Sequence, residues 1–225
     1  MTERVQQRTA SGRTIYAALA RPAAKKAPGL VLIHEWWGLN WEMEAIAGEF
    51  ARQGYLALAI DMFDRKTTDQ PQQAQKLMDE MDPKHAYETL AAWIAWLRGH
   101  ESCAGKIGAL GYCLGGAWSL NASIANRLDA TVVYHGKVDK KAAELKSLNG
   151  KLLGHFATRE TYVPPESVTA FAGEMRAAGK DATVHFYEAA HAFTRPKGPN
   201  YDKPSADLAW GRTLAFLKQE LGGSA

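Results

Sequence analysis

Short apolar runs alternate with amphipathic stretches along most of the 225-residue chain. The run LVLIH at 30–34 is apolar throughout, which is typical of a strand buried on both faces of a sheet. The stretch at 40–54 has helical spacing, with Asn40 as a candidate N-cap and Gly54 at its end. Strands that alternate with helices in this way predict βαβ units and a mostly parallel sheet.

The same patterns assign the remaining elements of a single α/β domain over residues 1–225. Strands are predicted at 14–20, 30–34, 55–61, 106–111, 130–136, 151–157 and 182–189. Helices are predicted at 40–54, 85–99, 115–126, 165–179 and 205–222, with a further candidate at 72–81. The alternation in TIYAALA at 14–20 is typical of an exposed strand, and 22–29 reads as a loop.

Charge and cysteine content narrow the functional classes. The formal net charge is +3, and Lys and Arg are scattered without a basic stripe, so no nucleic-acid partner is expected. Two cysteines, Cys103 and Cys113, are too few for a disulfide framework and fit a reducing compartment. The N-terminal region lacks an apolar signal segment, and no run approaches the ~18 apolar residues of a membrane span. We therefore expect a cytoplasmic protein without a membrane partner.

The stretch IGALGYCLGG at 107–116 is the most informative local motif. The pattern G-x-S-x-G marks a sharp strand-to-helix turn that presents a serine nucleophile above a sheet. Here Cys113 stands at the serine position, between Gly111 and Gly115. The motif predicts a thiol nucleophile, and the alternative is a buried structural cysteine between ordinary glycines.

Other reactive side chains also follow predicted strands. Glu35 comes after 30–34, Glu160 after the strand at 151–157, and His191 after the strand at 182–189. Parallel sheets bind ligands beyond the carboxyl ends of their strands, so these residues and Cys113 are expected at one site. The chain order cysteine, acid, histidine is that of the nucleophile, acid and base in α/β hydrolases.

From about residue 14 to 220, the chain resembles the dienelactone hydrolase (carboxymethylenebutenolidase-like) family of the α/β hydrolases. The segments that carry the resemblance are HEWWG at 34–38, GYCLGG at 111–116, HFATRETYVP at 155–164 and AHAFTR at 190–195. The resemblance implies the α/β-hydrolase fold, a mostly parallel sheet with helices on both faces. It also implies hydrolysis of a small ester or lactone, a dienelactone being the family substrate.

Each candidate catalytic residue has a structural alternative. Cys113 is the expected nucleophile, with its thiolate favoured by a helix N-terminus and its proton taken by His191. Glu160 is expected to orient His191, although the family has aspartate there. The alternative for Glu160 is a surface ion pair with Arg159, and Asp139 is the reserve acid.

The segments around Cys113 and Glu35 contain the candidate oxyanion donors and a second candidate catalytic carboxylate. The backbone N–H groups of Leu114 and Trp36 are the expected oxyanion donors. Glu35 resembles the family carboxylate that helps to deprotonate the cysteine, and its alternative is a structural salt bridge. The zinc motif H-E-x-x-H does not fit HEWWG, because position 38 is Gly38. No metal or organic cofactor is expected.

Substrate recognition is less completely specified. Arg195 resembles the arginine with which family members hold a substrate carboxylate, a task that suits a guanidinium fork. A second family arginine would fall within 70–76, which contains none, so Lys76 and Arg65 are the candidate replacements. The aromatic residues expected to line an apolar pocket are Trp36, Trp37 and Tyr134.

Together these features predict a cysteine-dependent hydrolase of a small ester or lactone that forms an acyl-thioester, as a monomer or weak homodimer. Two alternatives belong to other classes. One is a non-catalytic α/β-hydrolase scaffold that binds a small molecule or a protein partner. The other is a thiol redox sensor based on Cys113, which lacks a resolving cysteine nearby in the sequence.

Overall fold

In the computed structural model, which describes residues 2–222, eight strands form a mixed sheet. The strands are β1 (Glu3–Arg8), β2 (Thr14–Ala20), β3 (Ala27–Ile33), β4 (Leu56–Ile60), β5 (Cys103–Tyr112), β6 (Ala130–Tyr134), β7 (Lys151–Arg159) and β8 (Ala182–Ala190). Their order across the sheet is β1-β2-β4-β3-β5-β6-β7-β8. All neighbours from β4 to β8 are parallel, while β2 runs antiparallel to both β1 and β4.

Seven helices of the described residues cover the sheet. They are α1 (Trp41–Arg52), α2 (Pro71–Asp79), α3 (Pro83–Gly99), α4 (Leu114–Asn126), α5 (Ala142–Leu145), α6 (Pro165–Ala177) and α7 (Lys203–Leu221). The Asn40 side chain caps α1 by accepting the N–H groups of Glu42 and Met43, both at 3.1 Å, as its sequence position predicts. The predicted fold class is confirmed.

The prediction that the strand at 14–20 is exposed is wrong. Ile15, Ala17 and Leu19 point into one buried cluster, while Ala18 and Ala20 point into the cluster on the opposite face. β2 lies inside the sheet because β1 pairs along its outer side. The sequence pattern missed β1, since an edge strand with exposed polar side chains carries little hydrophobic periodicity. The short helix α5 was also missed, and β3 begins at Ala27, within the predicted loop.

Parallel register brings the carboxyl ends of β3, β5, β7 and β8 to one edge of the sheet. The residues singled out in the sequence follow these ends: Glu35 after β3, Cys113 after β5, Glu160 after β7 and His191 after β8. Among the described residues, no helix is long and apolar enough to cross a membrane.

Gly115, at the start of α4, sets how closely this helix approaches the end of β3. A Cβ atom on Gly115 would lie 2.1 Å from the carbonyl oxygen of Ile33 and 2.6 Å from that of His34. Both are backbone atoms of the neighbouring strand end, so they cannot rotate away. A side chain at position 115 therefore separates α4 from β3.

We expect Gly115→Ala to lower the free energy of unfolding by about 3 kcal/mol, because an extra methyl group is forced into close-packed backbone. Urea unfolding followed by circular dichroism measures the change. The control is Gly173→Ala in α6, where the added Cβ meets nothing within 4 Å. That substitution should raise stability by ~0.5–1 kcal/mol through helix propensity. Equal unfolding midpoints for the two variants would contradict the packing argument.

Candidate active site

Cys113 sits on the turn between β5 and α4, with φ 51° and ψ −113°. Positive φ is unusual for a residue with a side chain and indicates a strained turn that the surroundings impose. Its own backbone N–H donates to Tyr134 at 2.9 Å, which ties the turn to β6. Gly111 is required on the other side, because a Cβ there would lie 2.0 Å from the carbonyl oxygen of Gly115. The turn directs a partly exposed thiol toward the sheet edge.

Three of the predicted residues are in direct contact. The Nε2 atom of His191 lies 3.2 Å from Cys113 Sγ, and its Nδ1 atom lies 2.5 Å from Glu160 Oε2. The Glu160 side chain is only 2% exposed, and its second oxygen accepts the N–H of Tyr162 at 2.7 Å. The carboxylate that meets His191 is thus Glu160, whereas Asp139 is exposed on the loop after β6. The ion pair of Glu160 with Arg159, considered above, is not among the salt bridges of residues 2–222.

His191 is held by neighbours that the sequence did not identify. His135 packs edge-on against its ring at a centroid distance of 4.8 Å, and Tyr162 does so at 5.4 Å. The side chain of Asn200 donates to the His191 carbonyl at 3.0 Å. Burial, together with the neighbouring His191, holds the pKa of His135 well below its usual value, so His135 is neutral. In the sequence, the position of His135 directly after β6 was the only indication that it belongs to the site.

The resting thiol is protonated. Burial, reinforced by the charge of Glu35, raises the pKa of Cys113 to about 12, although the N–H of Leu114 acts in the opposite direction. Lys137 also lowers the pKa, but as a smaller contribution than Glu35. The thiolate therefore needs a base, and His191 Nε2 is placed to accept the proton.

Glu35 follows β3 and is half-buried. Burial raises the pKa of Glu35 to about 7. The positive charge of Arg195 opposes this shift, and the negative charge of Glu42 adds to it. Hydrogen bonding from Trp37 lowers the pKa slightly. A carboxyl group with this pKa exchanges its proton near neutral pH. The adjacent His34 is fully buried and accepts the N–H of Met62 at 3.0 Å, so it links two strand ends.

The backbone N–H groups of Leu114 and Trp36 lie at the same edge of the sheet. Within residues 2–222, neither has a backbone carbonyl as hydrogen-bond acceptor. The close packing of Gly115 against Ile33 and His34 brings the start of α4 next to the β3 loop that carries Trp36. The Leu114 N–H is directed at the Cys113 thiol, whose pKa it lowers, and backbone donors beside a thiol suit a developing oxyanion.

A cavity of about 350 Å³ adjoins this arrangement. Glu35, Trp37, Tyr112, Tyr134 and Arg195 are among its lining residues. The hydroxyl of Tyr134 is engaged by Thr213 at 2.6 Å. Trp36 packs edge-on against Trp37 at 4.9 Å.

The two candidate replacements for a second substrate arginine lie elsewhere. Lys76 is exposed on α2, 3.6 Å from Glu80. Arg65 lies over the ring of Tyr16 at 5.2 Å. Among the described residues there is also no group of three or more His, Cys, Asp or Glu side chains that could hold a metal ion.

Comparison with known proteins identifies the family of this chain. The sequence profile of the dienelactone hydrolase family matches residues 15–221. Carboxymethylenebutenolidase from Pseudomonas putida is 30% identical, and the alignment covers 96% of each chain. Protein usf from Aquifex pyrophilus is 29% identical over 86% of this chain and 89% of its own.

Solved structures show the same fold. A dienelactone hydrolase-like promiscuous phosphotriesterase from metagenomic libraries superposes with a TM-score of 0.87 at 22% identity, over 98% of this chain and 99% of the other. The family match, the fold and the similarity over nearly the whole chain lead to one conclusion. The chain belongs to the dienelactone hydrolase family and is a hydrolase of the class that acts on esters and lactones.

Proposed function

We propose that this protein is a cysteine-dependent hydrolase of small esters or lactones that works through an acyl-thioester. The observation that carries the proposal is the continuous contact from Cys113 through His191 to Glu160 at the carboxyl edge of the sheet. Nucleophile, base and orienting acid within hydrogen-bond reach are the general requirement for such catalysis.

In the first half of the reaction, His191 Nε2 accepts the thiol proton and Cys113 Sγ attacks the substrate carbonyl carbon. The carbonyl oxygen becomes an oxyanion, which the N–H groups of Leu114 and Trp36 stabilise. When the tetrahedral species collapses, the C–O bond to the leaving alcohol breaks. The imidazolium of His191 returns its proton to that oxygen, and the acyl group remains on Cys113 as a thioester.

In the second half, His191 takes a proton from water and the hydroxide attacks the thioester carbonyl. The C–S bond breaks, the thiol regains its proton, and the carboxylic acid leaves. Glu160 keeps the imidazole oriented and stabilises its charged form in both halves. In a lactone the acid and the alcohol stay joined, so one open-chain product results.

We assign Glu35 a supporting role in deprotonating Cys113 when substrate binds. Its charge raises the pKa of the thiol, so ionised Glu35 and a thiolate oppose each other. A carboxylate with a pKa near 7 is a stronger proton acceptor than an ordinary one. Ionised Glu35 takes up the single thiol proton first, so its opposing charge disappears as the thiolate forms, and the same proton is then relayed to His191, which returns it to the leaving oxygen.

The geometry weighs against both alternatives. A non-catalytic scaffold has no need for the contact between His191 and Glu160. A redox sensor needs a second thiol, but Cys103 lies at the start of β5 and Cys113 after its end, roughly 30 Å apart at the rise of an extended strand.

We expect Cys113→Ala and Cys113→Ser to retain the fold and to lose turnover of p-nitrophenyl acetate by at least about 1,000-fold, because each loses the thiol nucleophile. Wild type should also accumulate one acetyl group on Cys113, detected by mass spectrometry of the rapidly quenched protein. Cys103→Ala is the matched control and should keep wild-type rates. Hydrolysis by Cys113→Ala at the wild-type rate would refute the nucleophile assignment.

We expect Glu160→Gln to reduce kcat by about 1,000-fold, since the amide does not stabilise the imidazolium. Asp139→Asn serves as the comparison, because Asp139 was the other candidate acid and is exposed. It should stay within a few-fold of wild type. If Asp139→Asn caused the larger loss, the acid would be misassigned.

The pH dependence tests Glu35. Its pKa of about 7 means that it is protonated and unable to accept a proton below pH 7, and ionised above it. We expect wild-type kcat/KM to rise as pH increases through 7. Glu35→Gln should lack this rise and be about 10- to 100-fold slower at pH 8. A variant with the wild-type profile and rate would exclude the role.

A further inference from the structure

The cavity beside the active site has an inner and an outer end. Glu35 and the buried Tyr112, the residue before Cys113, form the inner end. Trp41 and Tyr201, which are 60% and 37% exposed, lie at the outer end. The cavity thus connects the vicinity of the thiol with the surface, and its volume of about 350 Å³ suits a small organic group.

The position of His191 decides which part of an ester enters this cavity. Because His191 protonates the leaving oxygen, the leaving group must lie on its side of the thiol. Neither Cys113 nor His191 is itself among the lining residues. Tyr112, which precedes Cys113, and Glu35, which precedes Trp36, do line the cavity, whereas Tyr162 and His135, which pack on the His191 ring, do not. We therefore place the leaving group on the Tyr162 side and the acyl group in the cavity.

The guanidinium of Arg195 is already engaged by Glu42. The Nε atom of Arg195 donates to Glu42 Oε2 at 3.0 Å, and the guanidinium carbon lies 4.9 Å from the centre of the Trp37 ring. The two side chains of the pair are 24% and 19% exposed, so solvent screens their attraction only in part. Glu42 is also in the first turn of α1, where the helix N-terminus favours its negative charge.

The other charges of the lining do not favour an anion. The lining has three carboxyl groups against two cations; the five are Glu35, Glu42 and Asp207, with Arg195 and Lys197. The ammonium group of Lys197 lies over Trp41 at 4.1 Å, at the outer end. Aromatic and aliphatic side chains supply much of the remaining wall, namely Trp37, Met43, Ile46, Tyr112, Tyr134 and Trp210.

We infer that this cavity is an acyl subsite for uncharged apolar or aromatic groups, and that Glu42 determines its selectivity against acyl groups that carry a carboxylate. The inference rests on the proposed function. Glu42 neutralises the guanidinium that would otherwise attract a substrate carboxylate and occupies its Nε–H. An uncharged acyl group contacts the aromatic wall without displacing Glu42.

The test uses two p-nitrophenyl esters of nearly equal shape. One is the monoester of succinic acid, whose acyl group ends in a carboxylate. The other is the ester of 4-methylpentanoic acid, in which two methyl groups replace the carboxylate oxygens. The ratio of kcat/KM for the two esters is measured for wild type, Glu42→Gln and Glu44→Gln. Glu44 is the matched control, because it lies in the same turn of α1 but pairs with Arg4.

We expect wild type and Glu44→Gln to prefer the uncharged ester by at least about tenfold. Glu42→Gln should shift the ratio toward the succinate monoester by about tenfold, since a freed charged hydrogen-bond donor is worth roughly that factor. The wild-type preference should also weaken from 20 mM to about 500 mM salt, because charge repulsion is screened. This last measurement needs no variant and stands even if Glu42→Gln fails to fold.

The outcomes distinguish a failure of the proposed function from a failure of the subsite inference. If wild type hydrolyses neither ester, the proposed function fails. If wild type hydrolyses both esters but favours the succinate monoester, the subsite inference is overturned while the proposed function stands. A ratio that Glu42→Gln leaves unchanged, or that Glu44→Gln shifts equally, also overturns the inference.

Discussion

The strained backbone at Cys113 is the constraint on which the rest of the site depends. A non-glycine residue at φ 51° persists only where neighbouring backbone leaves no relaxed alternative. That restraint comes from direct backbone contact. A Cβ on Gly111 would meet Gly115, one on Gly115 would meet Ile33, and one on Gly136 would lie 2.5 Å from Ala117 N. Because α4 packs this closely on the ends of β3 and β6, the thiol, the Leu114 N–H and the Trp36 loop share one edge.

The electrostatics of that edge favour the protonated form of the Cys113 thiol. Burial and the charge of Glu35 raise the pKa of Cys113, and the N–H of Leu114 and Lys137 only partly offset them. His191 is in contact with the sulfur, and in the proposed mechanism the almost fully buried Glu160 stabilises the imidazolium after proton transfer. A site of this kind has little free thiolate at rest, which limits side reactions with oxidants. In the proposed mechanism, substrate binding and the oxyanion donors supply the stabilisation that the resting state lacks.

The sequence predicted some elements and residues of the structure correctly and missed others. Buried parallel strands such as LVLIH are apolar throughout, and the glycines of GYCLGG are required by a tight strand-to-helix turn. Both features could therefore be predicted from the sequence. The strand at 14–20 was misjudged as exposed, because its alanines are compatible with either environment and the covering strand β1 has no apolar pattern. Glu160 could be placed after a strand, but a longer carboxylate than the family's aspartate made its contact with His191 a matter of loop conformation. His135 had no sequence signal beyond its position after β6, and Glu42 had none.

The sequence by itself determined the alternation of strands and helices, the turn at Cys113 and the strand ends where reactive side chains appear. These properties are local, since they depend on residue spacing, on glycine and on the rule that parallel strands end together. Only the tertiary structure decided that Glu160 rather than Asp139 meets His191, that Arg195 is held by Glu42, and that His135 packs on the imidazole. Each of these contacts joins segments that are far apart in the chain. Their partners are chosen by the packing of loops, which carries no periodic pattern in the sequence.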